Sequence, residues 1–190
     1  MDIRKFIFKN RSYTPIPLLV AALVFAKPTR ISVLTGILLM ILGEGIRFWG
    51  VAYIGAVSRI TSGMGSSRLL TDGPFARVRN PLYCGNLLLW SGCLVATRAW
   101  MPWMALVLLL FFSFQYDRIV NLEEEYLSKK FGASYEAYRK AVPRWVPRLR
   151  DYRGPEKSDP DWKRALRSER DTFQAIAAVL ALILLRWRLS

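Results

Sequence analysis

Apolar residues in this chain gather into runs long enough to be helices in a bilayer, and polar loops separate them. Ile16 to Ala26 is apolar but short for a membrane crossing, which takes about 20 residues. Ile31 to Gly55 is the longest run and reads as one span. Leu82 to Thr97 and Met101 to Tyr116 read as a helical hairpin whose tip is Arg98 to Trp100. The second arm continues as a polar helix from Asp117 to Phe131, where Gly132 is a natural stop. A short helix over Ser134 to Ala141 follows, ended by Pro143 and Pro147. Asp151 to Ser168 reads as a charged linker on the membrane surface. Thr172 to Leu185 is a last apolar helix, either a short span or an interfacial helix. The fold class is all-α: a polytopic membrane protein with about five transmembrane helices and a cytoplasmic helical cap. Residues 1–150 form the membrane-embedded domain, and 151–190 form a linker plus the terminal helix.

Charge changes this picture by assigning sides. The chain has 190 residues and a net charge of +14. A soluble chain this basic would point to nucleic acid. Apolar runs point instead to anionic lipid headgroups, so no nucleic-acid partner is expected. Lys and Arg concentrate in residues 1–14, 56–80 and 118–170, whereas the other side receives Lys27, Arg30 and Arg98. The excess places the N-terminus and both large loops in the cytoplasm. Residues 1–14 mix basic and aromatic residues and read as interfacial. No cleavage motif follows Lys5, Lys9 and Arg11, so the first apolar run reads as a retained helix.

Histidine is absent, and the two cysteines, Cys84 and Cys93, lie nine residues apart on one helix. They cannot pair with each other, no zinc-ligand spacing exists, and no metal is expected. Packing inside the membrane accounts for both. Glu44 and Arg47 lie three residues apart in the longest run, as an interior ion pair or as part of a polar site. Gly43 and Gly45 beside them suit close helix packing.

Candidate chemistry centres on Arg77 to Gly85, RVRNPLYCG. Asn80 followed by Pro81 is a helix start. Arg77, Arg79, Asn80 and Tyr83 therefore surround exposed backbone donors at a membrane surface, a ready site for a carboxylate. A capped membrane helix with snorkelling arginines explains the same residues. The long loop from Ala56 to Arg79, with Gly63-Met64-Gly65-Ser66-Ser67, is a candidate lid. The hairpin returns the chain to the side it left, which brings Glu123, Glu124 and Glu125 beside Asn80 and Tyr83. Arginines and helix N–H groups on one wall and carboxylates on the other suit a zwitterion, and Tyr83 and Phe75 offer aromatic faces to a cation. The methionine half of S-adenosylmethionine has that character. A solvated helix face, with the glutamates pairing to Lys129 and Lys130, is the other reading.

These residues resemble a known family. RxPxYxG at Arg79, Pro81, Tyr83 and Gly85 is similar to the membrane methyltransferases related to isoprenylcysteine carboxyl methyltransferase. The downstream EExxL, FGxxYxxY and VPRxxP stand here as Glu123-Glu124, Leu127, Phe131-Gly132, Tyr135, Tyr138, Val142-Pro143-Arg144 and Pro147. Upstream, LLTDGPFARVRNP resembles that family's LVTxGPYxxxRHP. The likeness covers roughly residues 31–148. It implies an all-helical enzyme dependent on S-adenosylmethionine, with Leu69, Leu70, Phe75, Arg79, Asn80, Pro81, Leu82 and Tyr83 lining the cofactor site. Glu124 would hold the cofactor, with Glu123 as its acidic partner. Glu124, Tyr83 and Arg118 are the catalytic candidates.

Two departures matter. The family's usual His is Asn80, as in the related phospholipid N-methyltransferases. An Arg usual four residues before the acidic pair is Ile119 here, and Arg118 is one step, about 100°, off register. The implied reaction is direct methyl displacement by a lipophilic or lipidated acceptor entering from the bilayer, with the 56–80 loop and residues 133–150 closing over the site. Carboxyl O-methylation, phospholipid amine N-methylation and a non-enzymatic role in holding anionic membrane lipid are the three readings.

Overall fold

The computed structural model describes residues 7–8, 10–11, 13–54, 69–154 and 157–189. Most of the basic N-terminal stretch and the Gly63–Ser67 part of the candidate lid lie outside the described residues. Seven α-helices fall wholly within them: α1 Ile16–Val24, α2 Arg30–Ile54, α3 Pro81–Thr97, α4 Trp103–Phe131, α5 Ala133–Ala141, α6 Trp162–Ser168 and α7 Arg170–Leu189. A 3-10 turn, Gly73–Ala76, precedes α3, and no strand occurs among the described residues.

Among the described residues three helices, α2, α4 and α7, are long and apolar enough to cross a membrane. At about 1.5 Å per residue, the 25 residues of α2 exceed a hydrocarbon core of about 30 Å. The nine residues of α1 fall far short of it, and the 17 apolar residues of α3 just short. α7 is longer than its apolar run suggests. The flanking Arg170, Asp171, Arg186 and Arg188 are helical too, since nothing in them breaks a helix, and the total reaches 20 residues. Ile31, Leu34, Leu38, Ile41 and Leu42 on α2 are exposed, as are Leu106, Val107, Leu109, Leu110 and Phe114 on α4. Such contiguous apolar faces suit lipid rather than water.

The chain divides into two compact units. One comprises Met1–Glu44, Asn86–Ile119 and Arg170–Ser190. Its core joins Val33, Met40, Ala96 and Ile183, with Leu23, Ile37, Ile176, Val179 and Leu180 packed around them. Helices α2 and α3 touch backbone to backbone here: a Cβ at Gly36 would come within 2.5 Å of the Gly92 carbonyl oxygen. At the start of α2, the Thr29 amide donates to Ser32 Oγ and the Ser32 amide to Thr29 Oγ1, at 2.9 and 3.3 Å, a reciprocal cap. The Lys27 amide reaches the last carbonyl of α3, Thr97, at 2.9 Å. Arg98 and Trp100 at the hairpin tip adopt positive φ, and Trp100 stacks on Phe25.

The other unit comprises Gly45–Gly85 and Val120–Glu169. Tyr135, Tyr138 and Val142 form its buried centre, with Leu69, Leu127, Phe131 and Tyr152 against them. Gly132, at φ +51°, ends α4 and turns the chain into α5. Three residues of the stretch expected as a surface linker, Tyr152, Ser158 and Asp161, donate backbone hydrogen bonds within this unit. The Tyr152 amide donates to Ala76 O and the Asp161 amide to Ala52 O, at 2.9 and 2.8 Å, and Ser158 donates its amide to Asp72 Oδ2. Gly154 lies so close to Thr71 that no Cβ fits there. Arg47 pairs with Glu169 at 2.6 Å, and Phe48 stacks on Trp162.

Candidate functional site

The candidate site is assembled within the second unit from two stretches more than 40 residues apart in sequence. Pro81, with no amide hydrogen to lose, opens α3 and is fully buried. The start of α3 is seated on α2: a Cβ at Gly50 would meet Leu82 Cδ2 at 3.0 Å. The preceding 3-10 turn is held by the Tyr138 hydroxyl, which donates to Phe75 O at 2.8 Å. Gly73 takes φ +57° under the ring of Tyr53, with no room for a Cβ. Burial pushes the Tyr138 hydroxyl well above its ordinary pKa, and its neighbour Tyr135 adds to this; burial first, then the Glu124 carboxylate, raises Tyr135. Both hydroxyls stay protonated through the physiological range, so Tyr138 remains a donor.

Arg79 closes onto Glu124. Its Nε and Nη2 donate to Oε1 at 3.1 and 3.0 Å, and its Nη1 donates to the carbonyls of Arg139 and Val142 at 2.8 and 2.6 Å. Arg144 grips the same carboxylate, with Nε on Oε1 at 3.2 Å and Nη2 on Oε2 at 2.5 Å. Glu124 is buried, so its charge demands compensation, and it receives two cations for one anion. One turn into α3, the Tyr83 hydroxyl donates to Glu123 Oε1 at 2.9 Å, both residues half-buried. Asn80 is buried, and its Nδ2 donates to Arg144 O at 3.2 Å.

The structure thus brings together Arg79, Asn80, Pro81, Leu82, Tyr83, Glu123 and Glu124, with Phe75 held one residue before the end of its turn. Leu69 packs on the Tyr135–Tyr138 cluster, and Leu70 is half-buried beside it in sequence. Arg118 has other surroundings: it is exposed, its guanidinium 5.3 Å from the centre of the Phe114 ring, while Ile119 is fully buried. The arrangement differs from two facing walls in one respect, because Arg79 sits directly on Glu124. Arg144, to which composition and spacing assign no role, joins the candidate site through Glu124. Its signal was the VPRxxP run, in which it is the one cation.

The donor set is a carboxylate pair, guanidinium groups, a phenol and the start of a helix. It fits an amino-acid-like zwitterion: Glu123 and Tyr83 suit its cation, and the guanidinium groups of Arg79 and Arg144 suit its carboxylate. No three His, Cys, Asp or Glu side chains gather as a metal site among the described residues.

These features describe a helical protein with helices able to cross a membrane and a polar candidate site at the start of an apolar helix. The chain belongs to the phospholipid methyltransferase family, whose sequence profile matches residues 31–134. It is 33% identical over 110 residues to the cobalt-zinc-cadmium resistance protein CzcN of Cupriavidus metallidurans, covering 57% of this chain and 45% of that protein. It is 31% identical over 107 residues to the nickel-cobalt-cadmium resistance protein NccN of Alcaligenes xylosoxydans xylosoxydans, covering 56% and 46%. Over 86 residues it is 41% identical to the protein-S-isoprenylcysteine O-methyltransferase of Schizosaccharomyces pombe, covering 42% and 33%. The chain spans less than half the length of these relatives. No solved structure matches it.

Proposed function

We propose that this chain is an integral-membrane methyltransferase that uses S-adenosylmethionine and acts on a lipophilic acceptor, most simply the carboxylate of an isoprenylcysteine-like substrate. The observation that carries this reading is the meeting of its two motifs, Arg79 on Glu124 and Tyr83 on Glu123. The family and the fission yeast relative's name support it. Residues 1–150 would carry the activity. Helices α1 and α3, in a locally thin bilayer, would complete five crossings, with the N-terminus and site loops in the cytoplasm.

S-adenosylmethionine, when bound, supplies a methyl group activated on a sulfonium. The chain's part is to orient and to exclude water. Glu123 and Tyr83 would hold the cationic end, and Arg79 and Arg144, fixed by Glu124, would hold the carboxylate. Phe75 and Leu82 would cover the apolar face. An acceptor carboxylate is already ionised at neutral pH and needs no base.

A second reading is phospholipid amine N-methylation, favoured by Asn80 in place of histidine and by the family's own description. It requires a base, and without histidine Glu123 would serve. The names of the two resistance proteins suggest a role under metal stress. With no histidine, and two cysteines on one helix, such a role would rest on what is methylated rather than on ligation by those residues.

Membranes containing the chain, supplied with methyl-labelled cofactor, test both. Base-labile label in a lipid-like thioether acceptor supports the first reading, and base-stable label in a phospholipid amine supports the second. No transfer to any membrane component, with no binding of adenosylhomocysteine, supports instead a non-enzymatic lipid-holding role.

A further inference from the structure

Beyond α5 the chain presents apolar side chains to the outside with cations between them. Val146 is 73% exposed and Leu149 is 97% exposed, and Trp145 is 38% exposed. Arg150 and Arg153 are exposed, and Arg148 is half-buried. The acidic residue of the stretch, Asp151, is paired with Arg77 at 2.7 Å, so the outward charge is positive. Alternation of apolar and cationic side chains is unsuited to water and suited to a headgroup boundary.

The backbone fixes where this stretch sits. Cys84 Sγ donates to Trp145 O at 3.4 Å, and Asn80 Nδ2 donates to Arg144 O at 3.2 Å. Asn80 immediately precedes α3, and Cys84 lies in its first turn. An apolar helix that enters a bilayer begins near the headgroups, so Trp145 is held at the depth where tryptophan is favoured.

We propose that residues 144–153 form a docking surface for an anionic phospholipid leaflet. Trp145, Val146 and Leu149 enter the boundary between headgroups and acyl chains, and Arg148, Arg150 and Arg153 meet lipid phosphates. Because Arg144 belongs to this stretch and grips Glu124, the leaflet and the candidate site share one rigid connection. Docking is independent of any methyl transfer. Its occupant is lipid, chosen over a protein partner by the positive charge and by the position at the head of α3.

The test uses the full chain in nanodiscs of phosphatidylcholine alone, or of phosphatidylcholine with an equal part of phosphatidylglycerol. The Trp145 emission is isolated by subtracting the Trp145→Phe variant. Bromine on the acyl chains is expected to quench most of it. Tryptic cleavage within 148–153 is expected to slow by about tenfold when phosphatidylglycerol is present, and to recover in high salt. The Val146→Ser/Leu149→Ser variant should lose quenching and protection while its melting temperature is kept, since both side chains are exposed. Emission insensitive to bromine overturns the proposal. Equal protection in both lipids, or protection in detergent without lipid, overturns it as well, the last pointing to protein covering the stretch.

Discussion

Two nitrogens of Arg79 converge on one oxygen of Glu124, at 3.0 and 3.1 Å, although 45 residues separate the two in sequence. Both side chains are about nine-tenths buried. The remaining donors of Arg79 reach carbonyls at the end of α5, so one guanidinium ties the start of α3 to α4 and α5. Arg79→Ala removes this tie and leaves two carbonyls and half of the Glu124 compensation unmet. Arg144 still neutralises the carboxylate, which keeps the cost below that of a fully orphaned buried charge. We expect a loss of about 2–3 kcal/mol, read as a lowered melting temperature in detergent, with Arg79→Lys recovering only part of it.

Gly73 and Gly132 share a positive φ but differ in surroundings. A Cβ at Gly73 would lie 2.5 Å from the Tyr53 ring, whereas nothing lies within 4 Å at Gly132. Gly132 combines that φ with ψ −126°, mirror-image extended backbone, so Gly132→Ala carries a backbone term alone, about 1–3 kcal/mol. Gly73→Ala carries a backbone term of its own and displaces a ring, about 2–4 kcal/mol in all. Chemical denaturation of the two variants side by side checks the difference, and Tyr53→Ala should relieve part of the penalty at Gly73.

Contact between α2 and α3 depends on Gly36 and Gly92. A methyl at either would sit about as close as a bonded neighbour's neighbour to the opposing backbone, at 2.5 and 2.6 Å. Backbone cannot swing aside as a side chain can, so Gly36→Val should cost about 3 kcal/mol or prevent folding. Gly45→Ala, with open space around its Cβ, is the control and should be neutral or slightly stabilising. Yield of monodisperse protein and melting temperature report the outcome.

The tyrosine cluster predicts a limit at alkaline pH. Tyr138 has its pKa raised by burial, so the folded state holds its proton at a pH where the unfolded chain releases it. The unfolded state then binds fewer protons, and stability falls as pH rises. The contribution is fully present below the unfolded tyrosine value of about 10 and is lost progressively above it. Melting temperature should be flat in this respect through neutral pH and should drop beyond about pH 10. Tyr138→Phe should flatten that drop, at a cost of about 1 kcal/mol at neutral pH for its bond to Phe75 O.

Much of this architecture is legible in the residues because it depends on local rules. The run Ile31–Gly55 is the helix Arg30–Ile54, and Gly132 ends α4 because left-handed backbone suits glycine. The approach of Glu123 and Glu124 to the start of α3 follows from two antiparallel arms joined by a short tip. What escapes sequence reading is bonded through backbone or across long separations. Tyr152, Ser158 and Asp161 donate their backbone amides to Ala76, Asp72 and Ala52, which leaves no pattern in their own side chains, so the stretch reads as a linker. Arg47 finds Glu169, 122 residues away, where helical spacing suggests only Glu44. Arg144 on Glu124 is of the same kind: a motif marks the residue, and only the fold gives its partner.

Calorimetric titration with adenosylhomocysteine is the most direct test of a site built from both motifs. The wild-type chain in detergent should bind one equivalent, and Glu124→Gln and Tyr83→Phe should each weaken it, the former by about tenfold or more. No heat of binding in the wild type, or unchanged affinity in folded Glu124→Gln and Tyr83→Phe, would contradict the account.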